Sequence, residues 1–138
     1  MAIQPQYVCA ILEDAQGRLL LESRPDDALL AAGRVTCFGG RREAHETPEE
    51  CLRRELREEL NWEPHTIEKR VELWVAGDLV AWFYHAMLDV EPEQLDIAPG
   101  YQALLVPRQE LSSHPVSPWH AAVLGAWLAG ESAVHLDA

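Results

Sequence analysis

A chain of 138 residues and 15.5 kDa is long enough for one domain with a single core, read as 1–138, and leaves no room for a second catalytic domain. Hydrophobic residues at 48% and charged residues at 25% exclude wholesale disorder and fibrous repeats. Eleven Lys and Arg against 23 Asp and Glu leave a formal charge of -12, which repels phosphate backbones and anionic lipid, so no nucleic acid polymer and no membrane is expected as a partner. A phosphate-bearing ligand would then require bound divalent cations to reverse the local field.

In chain order, Tyr7–Glu13 and Arg18–Glu22 are mostly apolar around the turn residues Asp14–Gly17 and read as a hairpin. Pro25–Gly33 reads as a loop in which Ala28–Ala32 could form one helical turn. Val35–Phe38 is a short strand that Gly39 and Gly40 break. Thr47–Leu60 carries a capping box, Thr47 with Glu50, and Pro48 at the first helical position, so a helix is predicted that stops at Asn61 ahead of Pro64. Ile67–Val75 and Leu79–Leu88 form a second hairpin around Gly77 and Asp78, followed by an acidic loop over Glu91–Gly100. Tyr101–Val106 is a further strand, Pro107–Leu111 a helical turn, and Trp119–Leu128 a last helix.

Cys9, Cys37 and Cys51 are odd in number and lack a zinc spacing, which points to a reducing compartment and a cytoplasmic location. Met1–Tyr7 has no basic stretch followed by an apolar one, and no apolar run approaches the roughly 18 residues of a membrane span, so neither secretion nor insertion is expected.

The chemistry concentrates between Gly40 and Trp62. Gly40 is followed after five residues by Glu46, and after seven more by Arg54, Glu55, Leu56, one residue, Glu58 and Glu59. This resembles the Nudix box, G-x5-E-x7-R-E-U-x-E-E-x-G-U, where U is a bulky apolar residue. Asn61 stands where the family has Gly, and Trp62 where it usually has a smaller aliphatic residue. At about 100° per residue, Glu55, Glu58 and Glu59 share one helix sector, and Leu52, Leu56 and Leu60 form the apolar stripe beside it. Clustered carboxylates repel one another, and hard oxygen donors suit Mg²⁺ or Mn²⁺. The plain alternative is a solvated face paired with Arg53, Arg54 and Arg57. The Gly-Gly entrance and the Glu46 to Arg54 spacing weigh against it, since a solvated face needs neither.

The resemblance implies an α/β fold, a Nudix-like α/β/α sandwich with a mixed β-sheet. It further implies metal ligation by Glu55, Glu58 and Glu59 with the carbonyl of Gly39, and orientation of Arg54 by Glu46. One more acid is expected from the loop before the last core strand, Asp96 first and Glu93 second. For the substrate, Arg24 is a phosphate contact or a surface Arg, Phe38 stacks on a base or belongs to the core, and Arg41 and Arg42 either reach the phosphate tail or stay solvated. The six histidines are scattered and each reads as surface or packed, and Cys51 as a small packed residue. Relatives that read a purine place an Asn near the start of the last helix, where this chain has Ser117.

The expected activity is a metal-dependent pyrophosphohydrolase that cleaves a nucleoside diphosphate linked to another moiety, a nucleoside triphosphate included. The rival is a catalytically silent Nudix-fold sensor that binds a nucleotide or a partner protein. The sequence leaves the specific substrate, the general base, the number of metal ions and the oligomeric state open, a homodimer included.

Overall fold

The computed structural model describes residues 3–138. Strands β1 (Tyr7–Glu13) and β2 (Arg18–Ser23) form the expected hairpin. Its turn is tied by Asp14, whose Oδ1 accepts the N–H groups of Gln16 at 3.0 Å and Arg18 at 2.8 Å. β1 is buried on both faces. Val8, Ala10 and Leu12 point one way, Cys9 and Ile11 the other, and so the strand reads as one continuous apolar run.

The remaining elements are β3 (Val35–Thr36), β4 (Phe38–Arg41), α1 (Pro48–Leu60), β5 (Glu68–Val75), β6 (Asp78–Met87), β7 (Gln102–Pro107), α2 (Pro118–Leu128) and β8 (Ala133–Leu136). Short 3-10 turns cover Pro92–Gln94 and Arg108–Ser113. The main path of the sheet runs β3-β2-β1-β6-β5-β8, with β4 added to β1 and β7 to β2. β1 and β6 are parallel and so are β5 and β8, whereas the other pairs are antiparallel, which makes the sheet mixed.

α1 forms where the sequence places it. Thr47 Oγ1 accepts from Glu50 N at 3.1 Å, Glu50 Oε1 accepts from Thr47 N at 2.9 Å, and Asn61 closes the helix in the left-handed region at φ 52, ψ 42. Cys51, Leu52, Leu56 and Leu60 are fully buried against the Val8 face of the sheet. At about 2 kcal/mol per buried leucine, this stripe rather than helix propensity holds α1 in place. On the opposite face Val123, Leu124 and Ala126 of α2 pack over Cys9, Ile11, Leu73 and Phe83. The result is the expected α/β/α sandwich, its two cores separated by the sheet. Among the described residues no helix is long and apolar enough to cross a membrane.

Four local expectations change. Val35–Phe38 is not one strand: Val35–Thr36 pairs with β2, and Phe38–Arg41 pairs with β1. The chain switches partners at Cys37, whose N–H donates to His120 Nδ1 at 3.0 Å instead of to a ladder. Gly39 and Gly40 lie inside β4 rather than ending a strand. Ala28–Ala32 forms no helix, and the β5–β6 turn is Ala76-Gly77, both at positive φ, so Asp78 already belongs to β6. β8 has no counterpart among the predicted elements.

Candidate active site

Arg54 organises the loop between β4 and α1. Its Nε donates to Glu46 Oε2 at 2.6 Å and its Nη2 to Glu46 Oε1 at 2.9 Å, a bidentate fork. The remaining donors reach Glu55 Oε1 at 3.0 Å, Glu58 Oε2 at 3.2 Å and the Arg41 carbonyl at 3.2 Å. The Arg54 hydrogen bonds, then the Glu43 N–H, pull the Glu46 carboxyl down to a pKa of about 2. The spacing of Glu46 and Arg54 therefore has a geometric meaning: it clamps the loop onto the first turns of the helix.

Glu55 and Glu59 lean on the two glycines of β4. A Cβ on Gly40 would stand 2.3 Å from the Glu55 carboxylate carbon, so only a glycine admits Glu55 there. Gly39, at φ +149, passes so close to β1 that a Cβ would fall 2.3 Å from the Val8 carbonyl, and its N–H donates to Glu59 Oε1 at 3.0 Å. Burial raises the Glu59 pKa to about 8, with the nearby Glu22 and Glu55 charges adding to it. Burial also raises Glu55 and Glu22, against the pull of Arg54 on the first and Arg24 on the second.

Glu22 is a residue that the sequence reading missed. It is buried on β2, opposite Thr36 of β3, and accepts from Arg24 Nη1 at 2.8 Å. An acid at a strand end looks solvated in sequence. Its alternation with Leu20, which faces the α1 core, was the available signal.

The donor set fits a divalent cation. Glu22, Glu55 and Glu59 are mutually repelling oxygen donors in a region of low solvent access, and Gly40 lets the Glu55 carboxylate lie where a side chain would otherwise stand. Among the described residues no three His, Cys, Asp or Glu side chains converge on one point at metal distance, because Glu58 is turned to Arg54 and Glu59 to the Gly39 N–H.

Glu59 and the two glycines border a cavity of about 580 Å³ on the α2 side of the sheet. Its lining combines Arg24 and Arg41 with Tyr7, Leu73, Phe83, Trp119 and His120. The volume suits a small organic ligand with a charged tail. His120 enters because Ser117 N donates to the Val35 carbonyl at 2.9 Å and Val35 N to that of Pro115 at 3.0 Å, which pins the start of α2 to β3.

Of the sequence-predicted residues, Gly39, Glu46, Arg54, Glu55, Glu58 and Glu59 come together, and Arg24 and Arg41 line the cavity. Phe38 belongs to the core: it is fully buried on the α1 face, so it has no surface on which a base could stack. Arg42 is spent on main-chain carbonyls, those of Pro5 and Glu46, both at 3.0 Å, and does not border the cavity. Asp96 caps α1, its N–H donating to the Leu60 carbonyl and its Oδ2 accepting from Asn61 Nδ2 at 3.1 Å, which keeps it outside the cavity lining. Glu93 is exposed on the first 3-10 turn.

The family model described as NUDIX domain matches residues 4–128. No curated protein matches the chain by sequence. Among solved structures, a MutT protein from Methanosarcina mazei Go1 is similar with a TM-score of 0.72 and 18% identity, covering 94% of this chain and 97% of that one. The E. coli ORF135 protein has a TM-score of 0.68 and 27% identity over 92% of this chain and 90% of its own. The NUDIX domain of Shewanella oneidensis NrtR, solved with ADP ribose, has a TM-score of 0.69 and 19% identity, covering 94% and 89%.

Proposed function

The chain belongs to the Nudix family, whose members hydrolyse phosphoanhydride-type bonds, and on that premise we propose that it is a metal-dependent pyrophosphohydrolase of nucleoside diphosphate derivatives. The observation that carries this reading is the set of desolvated, mutually repelling carboxylates Glu22, Glu55 and Glu59 beside a cavity that Glu59 borders together with Arg24, Arg41 and several aromatic and apolar side chains. Charged groups for a polyphosphate and aromatic walls for a nucleoside match that lining.

Glu55, Glu58 and Glu59 would hold the ion, with Glu22 tightening the negative field behind them. A bound Mg²⁺ or Mn²⁺ would neutralise phosphate oxygens and lower the pKa of a coordinated water. Arg54, fixed by the Glu46 fork, holds Glu55 and Glu58 in place while leaving Glu59 to the Gly39 N–H. Arg24 and Arg41 supply positive charge to the non-bridging oxygens from the cavity wall. The ligand in the NrtR structure, ADP ribose, is a nucleoside diphosphate linked to a second sugar, and this is the class proposed here.

The silent-sensor alternative predicts binding without turnover. It is tested by incubating the protein with nucleoside triphosphates and nucleoside diphosphate sugars in Mg²⁺ and then in excess chelator. The expected outcome is product release that stops on chelation. Binding without product in every case would favour the sensor.

A further inference from the structure

Glu22 and Thr36 stand opposite each other in the antiparallel pair of β2 and β3, and at 5% and 4% exposure both are buried. Directly opposed residues share a face of the sheet, with Cβ atoms about 4.5 to 5.5 Å apart. Val35 belongs to the core on the α2 face, so strand alternation turns Thr36 to the other face, the one Glu22 occupies. The main chain on either side of Thr36 is fixed: Val35 N donates to the Pro115 carbonyl at 3.0 Å, and Cys37 N to His120 Nδ1 at 3.0 Å. A β-branched side chain on so rigid a backbone has little freedom to seek a partner elsewhere.

Among the described residues Thr36 Oγ1 is buried with no hydrogen-bond partner. Such a hydroxyl costs stability that a methyl group of the same shape would not. Glu22 is held through Oε1 by Arg24 Nη1 at 2.8 Å, which leaves Oε2 for other partners. Its charge is near enough to act on both Glu55 and Glu59, so it belongs to the same group of carboxylates. A carboxylate that turns one oxygen to a cation is in general oriented by a donor on its other oxygen.

We propose that Thr36 is a positioning residue for the divalent ion: its hydroxyl donates to one oxygen of Glu22 and thereby turns the other toward the ion shared with Glu55 and Glu59. The hydroxyl is unpaired in the ion-free protein and paired in the loaded one, so it weakens the first and strengthens the second. This rests on the metal-dependent reading of the site and adds to it the residue pair Glu22 and Thr36.

The test is calorimetric titration of Mn²⁺ into wild type, Thr36→Val, Thr36→Ser, Glu22→Gln and the Glu22→Gln, Thr36→Val double variant, with urea unfolding of each in chelator and nucleotide hydrolysis by wild type. Thr36→Val should be at least as stable as wild type in chelator yet bind Mn²⁺ about tenfold or more weakly, while Thr36→Ser stays within about threefold of wild type. In the Glu22→Gln background, Thr36→Val should cost less than about threefold in further affinity, because its partner is already gone. Wild-type Mn²⁺ affinity in Thr36→Val overturns the inference, and so does equal loss in Thr36→Val and Thr36→Ser, which would trace the effect to packing. A Thr36→Val protein that is clearly less stable in chelator, or does not fold, overturns it as well, since the hydroxyl would then have a partner without the ion. An undiminished effect of Thr36→Val in the Glu22→Gln background overturns the route through Glu22. Mn²⁺ binding by wild type without hydrolysis of any nucleotide removes the hydrolase reading alone, and the variant affinities still decide the role of Thr36. No Mn²⁺ binding by wild type overturns both.

Discussion

Glu58 and Glu59 are adjacent in sequence and opposite in environment. The Glu58 side chain is 59% exposed and held by Arg54, while Glu59 is half-buried against the Gly39 N–H with a pKa of about 8. The ordinary value is 4.5, so the folded state binds the Glu59 proton more tightly than the unfolded chain does. The sign follows: this contribution to stability is complete below pH 4.5 and is lost as pH rises through about 8. In chelator, thermal melts of wild type should therefore fall between about pH 5.5 and about pH 8.5 by more than those of Glu59→Gln, which has no charge to bury. Parallel pH profiles for the two proteins would remove Glu59 from the group of desolvated carboxylates. The Glu46–Arg54 fork was legible in the sequence because both ends lie in one spaced motif. Glu22 was not, because its inward direction depends on pairing with β3 and β7, which bring residues from elsewhere in the chain to either side of it.

The two glycines of β4 separate folding from chemistry. Gly39→Ala would drive a Cβ into the main chain of β1, 2.3 Å from the Val8 carbonyl and 2.6 Å from Cys9 Cα, at a positive φ. Neither obstacle can move cheaply, and the loss should be about 3 kcal/mol or more of stability. The nearest atoms to a Cβ in Gly40→Ala are those of the Glu55 carboxylate, the free end of a flexible side chain. This variant should leave the melting point close to wild type and reduce turnover by about tenfold or more through displacement of Glu55. Urea titrations and steady-state rates for both variants check this, and a Gly40→Ala enzyme with wild-type rates would show that the position of Glu55 is immaterial. At this scale the sequence was most informative where signals are local, as at α1, whose cap and left-handed stop at Asn61 are both observed. It was least informative where a distant partner decides. The break between β3 and β4 arises from a hydrogen bond to His120, 83 residues away, and β8 is a four-residue edge strand with meaning only beside β5.

The chain as a whole carries a formal charge of -12, and at Glu22, Glu55 and Glu59 the carboxylates are also desolvated. A divalent cation bound there would relieve repulsion locally and supply the positive field that an anionic substrate needs. An ion that binds only the folded protein should also stabilise it, by about 2.7 kcal/mol at a hundredfold excess over Kd. The sandwich itself followed from the resemblance carried by the box, but most of the cavity did not, since beyond Gly39, Gly40 and Glu59 its walls come from β1, β3, β5, β6 and α2, which carry no motif.

The central claim is that Glu59 and its neighbours hold a catalytic divalent ion. The most direct measurement is calorimetric titration of Mn²⁺ into wild type and Glu59→Gln, paired with hydrolysis of the best nucleotide substrate by the same two preparations. The account predicts weaker Mn²⁺ binding in Glu59→Gln and a rate reduced about a thousandfold, on the order of 4 kcal/mol of transition-state stabilisation, with the fold retained. Unchanged Mn²⁺ affinity together with an unchanged rate would contradict it.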